Sequence, residues 1–480
     1  MKIAYVSSEI SPFASTGGLG EVAGALPVAL AKLGHTVHRF MPCYRTVLEK
    51  ASRFNREDLR VTVPVGMKQY TAEFLTVNDR GVITWFVRRD EFFDRSQLYN
   101  LPERDYEDNF ERFVFFQKAV IALIDRLNLA PDVIHLNDWQ TGMIPYFLEH
   151  GIQGKRRGRR EKCMFTIHNI AYQGIYPDAD YALTNLPFSA YSVNTFEYYG
   201  KINCMKAGIT GSDAVTTVSP GYAREILTPE GGFGLDGLLR SVKDRLFGVL
   251  NGIDVEVWNP ATDPHLPAPY TSSDLKGKAA CRRSLAAKMG VLVGEKTKIV
   301  GMVSRLVDMK GLDIVAEALP GMMERDLVFV LLGSGEKKYE DLARSWAETF
   351  KGRVGVLIGY NAPLSHLITA GSDFMLIPSK SEPCGLTQMY SQRYGTVPIV
   401  HSVGGLSDSI RDPDESSEPT GFKFREYTAT ALLRALDRAL EWHKTTKRLE
   451  LARRMMGLDL SWEKAAKQYL DLYHRIGAPN

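Results

Sequence analysis

Arg305 and Lys310 stand in the stretch VSRLVDMKG, directly after the apolar run 299–303 and just before a helical pattern. Two cations where a strand ends suit a diphosphate, because they offset its charge and the charge that grows on it as a leaving group. Solvated loop charge is the plainer alternative for the same pair. Glu382 lies in SEPCGLTQ, where Pro383 and Gly385 bend the chain ahead of a helical pattern from Leu386. A carboxylate there can steady the helix end or face a polar ligand. Asp138 in HLNDW and His168 in TIHN also close apolar runs, although a lone Asp or His is more often structural. FASTGGLGEV places Gly17 and Gly18 ahead of a helical stripe, and HSVGG does the same for Gly404 and Gly405. Backbone N–H groups at such loops can meet an anion or a polar ligand, but a simple tight turn uses the same residues. Chance seldom leaves five polar clusters at the ends of apolar runs, so one shared site is expected.

The elements that must position these residues alternate along the chain. In the second half, strand-like runs at 299–303, 327–332, 354–358, 374–377 and 397–400 are separated by helical patterns at 312–319, 338–350, 364–370 and 386–394. Short continuous apolar runs alternating with helices indicate parallel strands buried on both faces. Such doubly wound sheets bind ligands beyond the carboxyl ends of their strands. The first half repeats the theme with more insertions, with strands expected at 3–6, 36–40, 83–87, 133–136, 164–167 and 214–218. Pro27, inside the first helical stripe, is expected to kink it. The aromatic, aperiodic stretch 176–199 reads as an excursion from the core. At 480 residues the chain calls for two domains, joined near 249–254. A deep cleft between them is the expected place for a small molecule.

Composition excludes several classes. The formal net charge is +3, and the run GKRRGRREK at 154–162 has no aromatic interleaving, so it reads as a solvated loop. No nucleic-acid partner is expected. Five scattered cysteines form no CxxC pair, which argues against a disulfide framework or zinc site and suits a reducing compartment. The N-terminus lacks an apolar signal region and no run approaches the ~18 residues of a membrane span. A cytoplasmic location without a membrane partner is expected. The pair Asp178 and Asp180 forms a DxD, but in an irregular stretch, so no metal is expected.

Taken together, SSEISPF, TGGLGEV, HLNDWQ, TIHNIAYQG, TVSPGYA, VNGIDVEVWNP, SRL with KG, IGY, SEPCGLTQMY and GGLSDSI resemble the bacterial glycogen synthase and plant starch synthase family. The resemblance runs through nearly the whole chain. It implies a GT-B fold, α/β, with two doubly wound Rossmann-like domains facing a deep interdomain cleft. Residues 1–249 would form the acceptor-side domain and 250–458 the sugar-nucleotide domain, with 459–480 returning as a helix to the first. The implied reaction is retaining transfer of glucose from ADP-glucose to the non-reducing end of an α-1,4-glucan, without a metal or other cofactor. Arg305 and Lys310 then match cations on the donor phosphates, and Glu382 the carboxylate near the donor glucose. His168 borders the reacting sugar and Asp138 the acceptor side. Gly17 and Gly18 approach the donor, while Asn251, Cys384, Gly385, Leu386 and Thr387 contact substrate and Tyr360 stacks on the base. Two positions depart from the pattern: Ser15 stands where the family usually has a Lys, and Met309 where it has a Gln. UDP-glucose, another donor, or binding without turnover are the alternatives that Ser15 raises. Tyr390 occupies the second position of the Glu-x7-Glu arrangement of other transferases, which argues against that group. The resemblance leaves oligomeric state open.

Overall fold

In the computed structural model, residues 1–50, 53–101, 104–152 and 161–479 are described, and they form two units. The first comprises Met1–Val218, Ala223–Val249 and the chain from Trp462 on; the second comprises Ser219–Tyr222 and Leu250–Ser461. Most of the basic run at 154–162 lies outside the described residues.

Six strands build the second unit: Lys298–Val303, Leu327–Gly333, Val354–Ile358, Phe374–Ile377, Val397–His401 and Phe422–Phe424. All pair in parallel, and numbered along the chain they lie in the order 3-2-1-4-5-6. Alternate residues serve opposite faces. Val300, Phe329, Leu331 and Leu376 enter one apolar core, and Ile299, Val328, Val330 and Met375 enter the other. A strand covered on both faces must be apolar at every position, which is why these runs are plain in the sequence. The short sixth strand, Phe422–Phe424, falls below what such a reading detects. Connectivity reverses between strands one and four, so the loops leaving Val303 and Ile377 diverge and open a crevice at their carboxyl ends.

Nine strands form the main sheet of the first unit. Its parallel part runs through Lys2–Val6, Thr36–Pro42, Val82–Arg88, Val133–Asn137, Lys162–Ile167, Ala214–Thr217 and Leu246–Gly248. The first strand lies between Thr36–Pro42 and Val133–Asn137, again at a reversal of connectivity. An antiparallel hairpin, Asn55–Val65 with Lys68–Asp79, extends the sheet past Val82–Arg88. It carries solvent-facing polar residues at alternate positions, so it offers no continuous apolar run. The helix Gly18–Lys32 continues through Pro27 rather than ending there. The stretch 176–199 holds only 3-10 turns and a small sheet, Ile175–Pro177, Glu197–Tyr198 and Lys201–Asn203. The last helix, Trp462–Arg475, packs on Gly18–Lys32 and buries Ala466, Tyr469 and Tyr473. Among the described residues no helix is long and apolar enough to cross a membrane.

Two left-handed glycines separate backbone freedom from close packing. Gly290 (φ 66°) has open space where a Cβ would stand, whereas at Gly311 (φ 76°) a Cβ would meet the Pro378 carbonyl oxygen at 2.0 Å. Gly290→Ala is therefore expected to cost about 1–2 kcal/mol, the left-handed penalty alone. Gly311→Ala should cost more, because the loop ending at Gly311 and the one leaving Ile377 must separate. Urea denaturation of the two variants measures the difference.

Candidate active site

Each unit carries its own cluster at the carboxyl ends of its strands. In the second unit Lys310 closes the short 3-10 turn Asp308–Lys310 after strand one, and Glu382 lies in the loop after strand four. Their side chains form an ion pair, Lys310 Nζ to Glu382 Oε2, and are 19% and 13% exposed. Ser379 Oγ donates to the same carboxylate oxygen at 2.9 Å, and His401 Nδ1–H donates to the Ser379 carbonyl at 2.7 Å. A charge this far from water is tolerated only where it is paired, and removing one partner strands the other. Nearby in sequence, Lys380 Nζ bonds Asp308 at 2.9 Å and Asp313 at 3.0 Å, which holds its ammonium pKa above the usual value. The two loops are thus stitched together twice. Arg305 differs: it is exposed and bonds to no other described residue, so its five donors remain available.

Following Glu382, Gly385 adopts φ 73°, and the helix Thr387–Arg393 begins two residues later. Cys384 is buried, and burial pushes its thiol up to about 12, so it is a packing residue rather than a nucleophile. Asn251 is 7% exposed, its backbone meets the Cys384 sulfur, and its buried Oδ1 has no hydrogen-bond partner among the described residues. Ser219, from TVSPGYA, donates to the Pro383 carbonyl at 2.6 Å. Tyr390 lies face to face with Trp258 at 3.7 Å, and Trp258 stacks on His366 at 3.9 Å on its other side. Tyr360 stands apart: it is 93% exposed and follows strand three, not strand one or four.

The first unit supplies Asp138 and His168. Asp138 takes φ 55° and ψ −179°, a region nearly confined to glycine, at the end of the strand Val133–Asn137. Its Oδ1 accepts the His168 N–H at 2.7 Å. Burial, with Glu9 nearby, pushes its carboxyl up to about 7 despite that bond. Burial also pulls His168 down to about 3, so its imidazole is neutral. Asn137 Nδ2 donates to the Val6 carbonyl at 2.9 Å, which fixes Oδ1 as the acceptor of Tyr5 OH (3.0 Å) and of His168 Nε2 (2.9 Å). His168 therefore carries its proton on Nε2 and leaves Nδ1 as an acceptor. His135, its strand neighbour, is locked between Tyr473 OH and Thr166 Oγ1 at 2.7 and 2.6 Å and is structural.

The glycine loop is held by a residue that spacing along the chain does not single out. Glu9, 3% exposed, accepts the Thr16 hydroxyl and the Tyr99 hydroxyl at 2.7 Å each, and also the Thr16 N–H. Its signal was its place in SSEISPF, an acid straight after a buried strand. Ser15 is exposed and turns its hydroxyl back on the Gly17 carbonyl at 3.1 Å. Gly17 and Gly18 have open space where a Cβ would stand. Asp178 and Asp180 open a 3-10 turn in the small-sheet excursion. A pocket of about 370 Å³ bordered by Asp125, Asp132, Glu161 and Lys162 lies where strands begin, and includes none of the candidate residues.

Each unit is a doubly wound α/β sheet with polar residues at the carboxyl ends of its parallel strands, and similarity to known proteins makes the class a glycosyltransferase with the GT-B fold. The family description "Starch synthase catalytic domain" matches residues 2–241, and "Glycosyl transferases group 1" matches 288–455. A glycogen synthase of Anaeromyxobacter sp. (strain Fw109-5) is 45% identical, covering 100% of both chains. Glycogen synthase 2 of Geobacter sulfurreducens is 42% identical over 98% of each. The catalytic domain of starch synthase IV from Arabidopsis thaliana, bound to ADP and acarbose, superposes with a TM-score of 0.89 at 33% identity, covering 99% of both chains. Sucrose-phosphate synthase from Thermosynechococcus elongatus shares the fold, with a TM-score of 0.62 at 17% identity, covering 99% of this chain and 98% of the other. The chain belongs to the glycogen and starch synthase family.

A carboxyl raised to about 7 when folded and near 4 when unfolded favours folding fully below pH 4 and loses that contribution as pH rises through 7. Asp138→Asn, which removes the charge and keeps the shape, should melt higher than the parent chain at pH 8. The gap should close as pH falls toward 4, which thermal melts across that range will measure.

Proposed function

We propose that the chain transfers glucose from ADP-glucose to the non-reducing end of an α-1,4-glucan, with retention, in the cytoplasm and without a metal. The observation that carries this reading is the second-unit cluster at the reversal of strand order: the Lys310–Glu382 pair, and in the same loop as Lys310 an exposed Arg305 with no partner among the described residues. Support comes also from the relatives' names and from the starch synthase that holds ADP and acarbose.

As the bond from the sugar to the diphosphate breaks, negative charge grows on the departing phosphate and oxocarbenium-like charge on the glucose. Arg305 and Lys310 stabilise the first. Glu382, steadied by Ser379, binds sugar hydroxyls and organises the second. The acceptor hydroxyl attacks on the face the phosphate leaves, and its proton passes to that phosphate oxygen. A double displacement would need a carboxylate nucleophile on the opposite face, and nothing in the sequence identifies one. His168 borders the sugar as a neutral donor–acceptor, Asp138 serves the acceptor side, and Gly17 and Gly18 approach the donor. Gly385, Leu386, Thr387, Cys384 and Asn251 shape the phosphate and sugar seat, and Tyr360 stacks on the base.

Glucose transfer onto glycogen should be measured with labelled ADP-glucose and UDP-glucose, with and without EDTA. Incorporation from ADP-glucose that EDTA leaves unchanged is expected; incorporation from neither donor would refute the reading. Ser15→Lys adds a charge that the loop lacks. A charge-assisted contact is worth about 1.5–3 kcal/mol, so the donor KM should fall roughly tenfold or more in that variant. If Ser15 instead marks a chain that binds without turnover, the lysine variant will remain inactive.

A further inference from the structure

We infer that Gln388 is the positioning residue that aims the donor loop, an assignment that rests on the donor reading above. Gln388 is fully buried in the first turn of the helix Thr387–Arg393. Its two Nε2–H groups are shared among three acceptors, the Cys384 carbonyl at 3.0 Å, the Gly385 carbonyl at 2.8 Å and Ser409 Oγ at 3.1 Å. The amide can lie only this way round. Ser409 Oγ spends its proton on the Gly405 carbonyl at 2.6 Å, so it can only accept from Gln388. An oxygen in the Nε2 position would face two carbonyls and a filled hydroxyl.

The consequence follows from peptide geometry. In a trans peptide the C=O and the N–H point in opposite directions. Drawing the Cys384 and Gly385 carbonyls inward onto one amide turns the N–H groups of Gly385 and Leu386 outward. Those two N–H groups donate to no other described residue. They lie just after Glu382, whose own carbonyl accepts the Gly405 N–H at 3.1 Å and so joins the same bracket. Gly385 is required here on two counts: its φ of 73°, and the 2.5 Å between its would-be Cβ and Gln388 Oε1. Gln388 touches neither sugar nor phosphate. It acts by presenting two backbone donors to a diphosphate.

Gln388→Glu keeps the shape but, when ionised, only accepts, and Gln388→Met keeps the length without polarity. Ser409→Ala removes one of the three acceptors and leaves both carbonyls pinned. ADP binding by calorimetry, donor KM, glycogen KM and melting temperature should be measured for the full chain and each variant. Gln388→Met and Gln388→Glu are expected to weaken ADP binding and raise donor KM at least tenfold, with glycogen KM within twofold; Ser409→Ala should change ADP affinity less than threefold. ADP affinity kept within twofold in either Gln388 variant would overturn the assignment. So would a parallel loss of ADP and glycogen affinity with a collapsed melting temperature, which marks a residue needed only for folding. Should neither Gln388 variant fold, a Ser409→Ala chain that binds ADP more than tenfold weaker would overturn it as well. A parent chain that binds no ADP would remove the donor reading itself, a result distinct from all of these.

Discussion

A carboxylate kept mostly from water needs a counter-charge, and for Glu382 that charge is Lys310, reached from another strand of the same sheet. The pair can form only because strands one and four are neighbours while their connections leave in opposite directions. This reversal puts two loops distant in sequence side by side at the carboxyl edge. The rest of the second-unit site hangs on that arrangement: Ser379 on the carboxylate, Lys380 across to Asp308 and Asp313, and Gly311 pressed on the Pro378 carbonyl. Arg305 is left as the cation with no partner among the described residues.

The first unit solves a similar problem differently. Its reversal also sets two loops together, one after Lys2–Val6 and one after Val133–Asn137. Here the polar groups are held by hydrogen bonds from uncharged donors rather than by an ion pair. Asn137 orients His168, His168 backbone supports Asp138, and Glu9 fastens the glycine loop through Thr16. Burial keeps His168 neutral and leaves Asp138 poised near neutrality, so small changes in its surroundings move its charge. The strained backbone at Asp138 fits a residue kept for its placement rather than for stability.

The doubly wound half was legible because strands covered on both faces are apolar at every position. Five of its six strands stood out, and Phe422–Phe424 did not, being three residues at a sheet edge. The hairpin Asn55–Val65 with Lys68–Asp79 was hidden for the opposite reason, since one of its faces carries polar residues. Helix Asn109–Arg126 escaped because it is buried almost all round, with Arg112, Gln117 and Lys118 among its buried residues, so no polar face marks out a 3.6-residue period. Motif residues could be named as a set, but their partners could not. Nothing near Glu9 says that it will meet Thr16 and Tyr99, and nothing near Tyr390 says that it will lie on Trp258. Those contacts depend on long-range topology, which spacing along the chain does not encode.

The central claim is that a diphosphate is held at the strand reversal of the second unit, with Arg305 as its available cation. The direct measurement is ADP affinity of Arg305→Ala by calorimetry, alongside glycogen affinity of the same variant. The account predicts a loss of at least tenfold for ADP, the scale of one charge-assisted contact, with glycogen affinity unchanged. ADP affinity equal to that of the parent chain would contradict it.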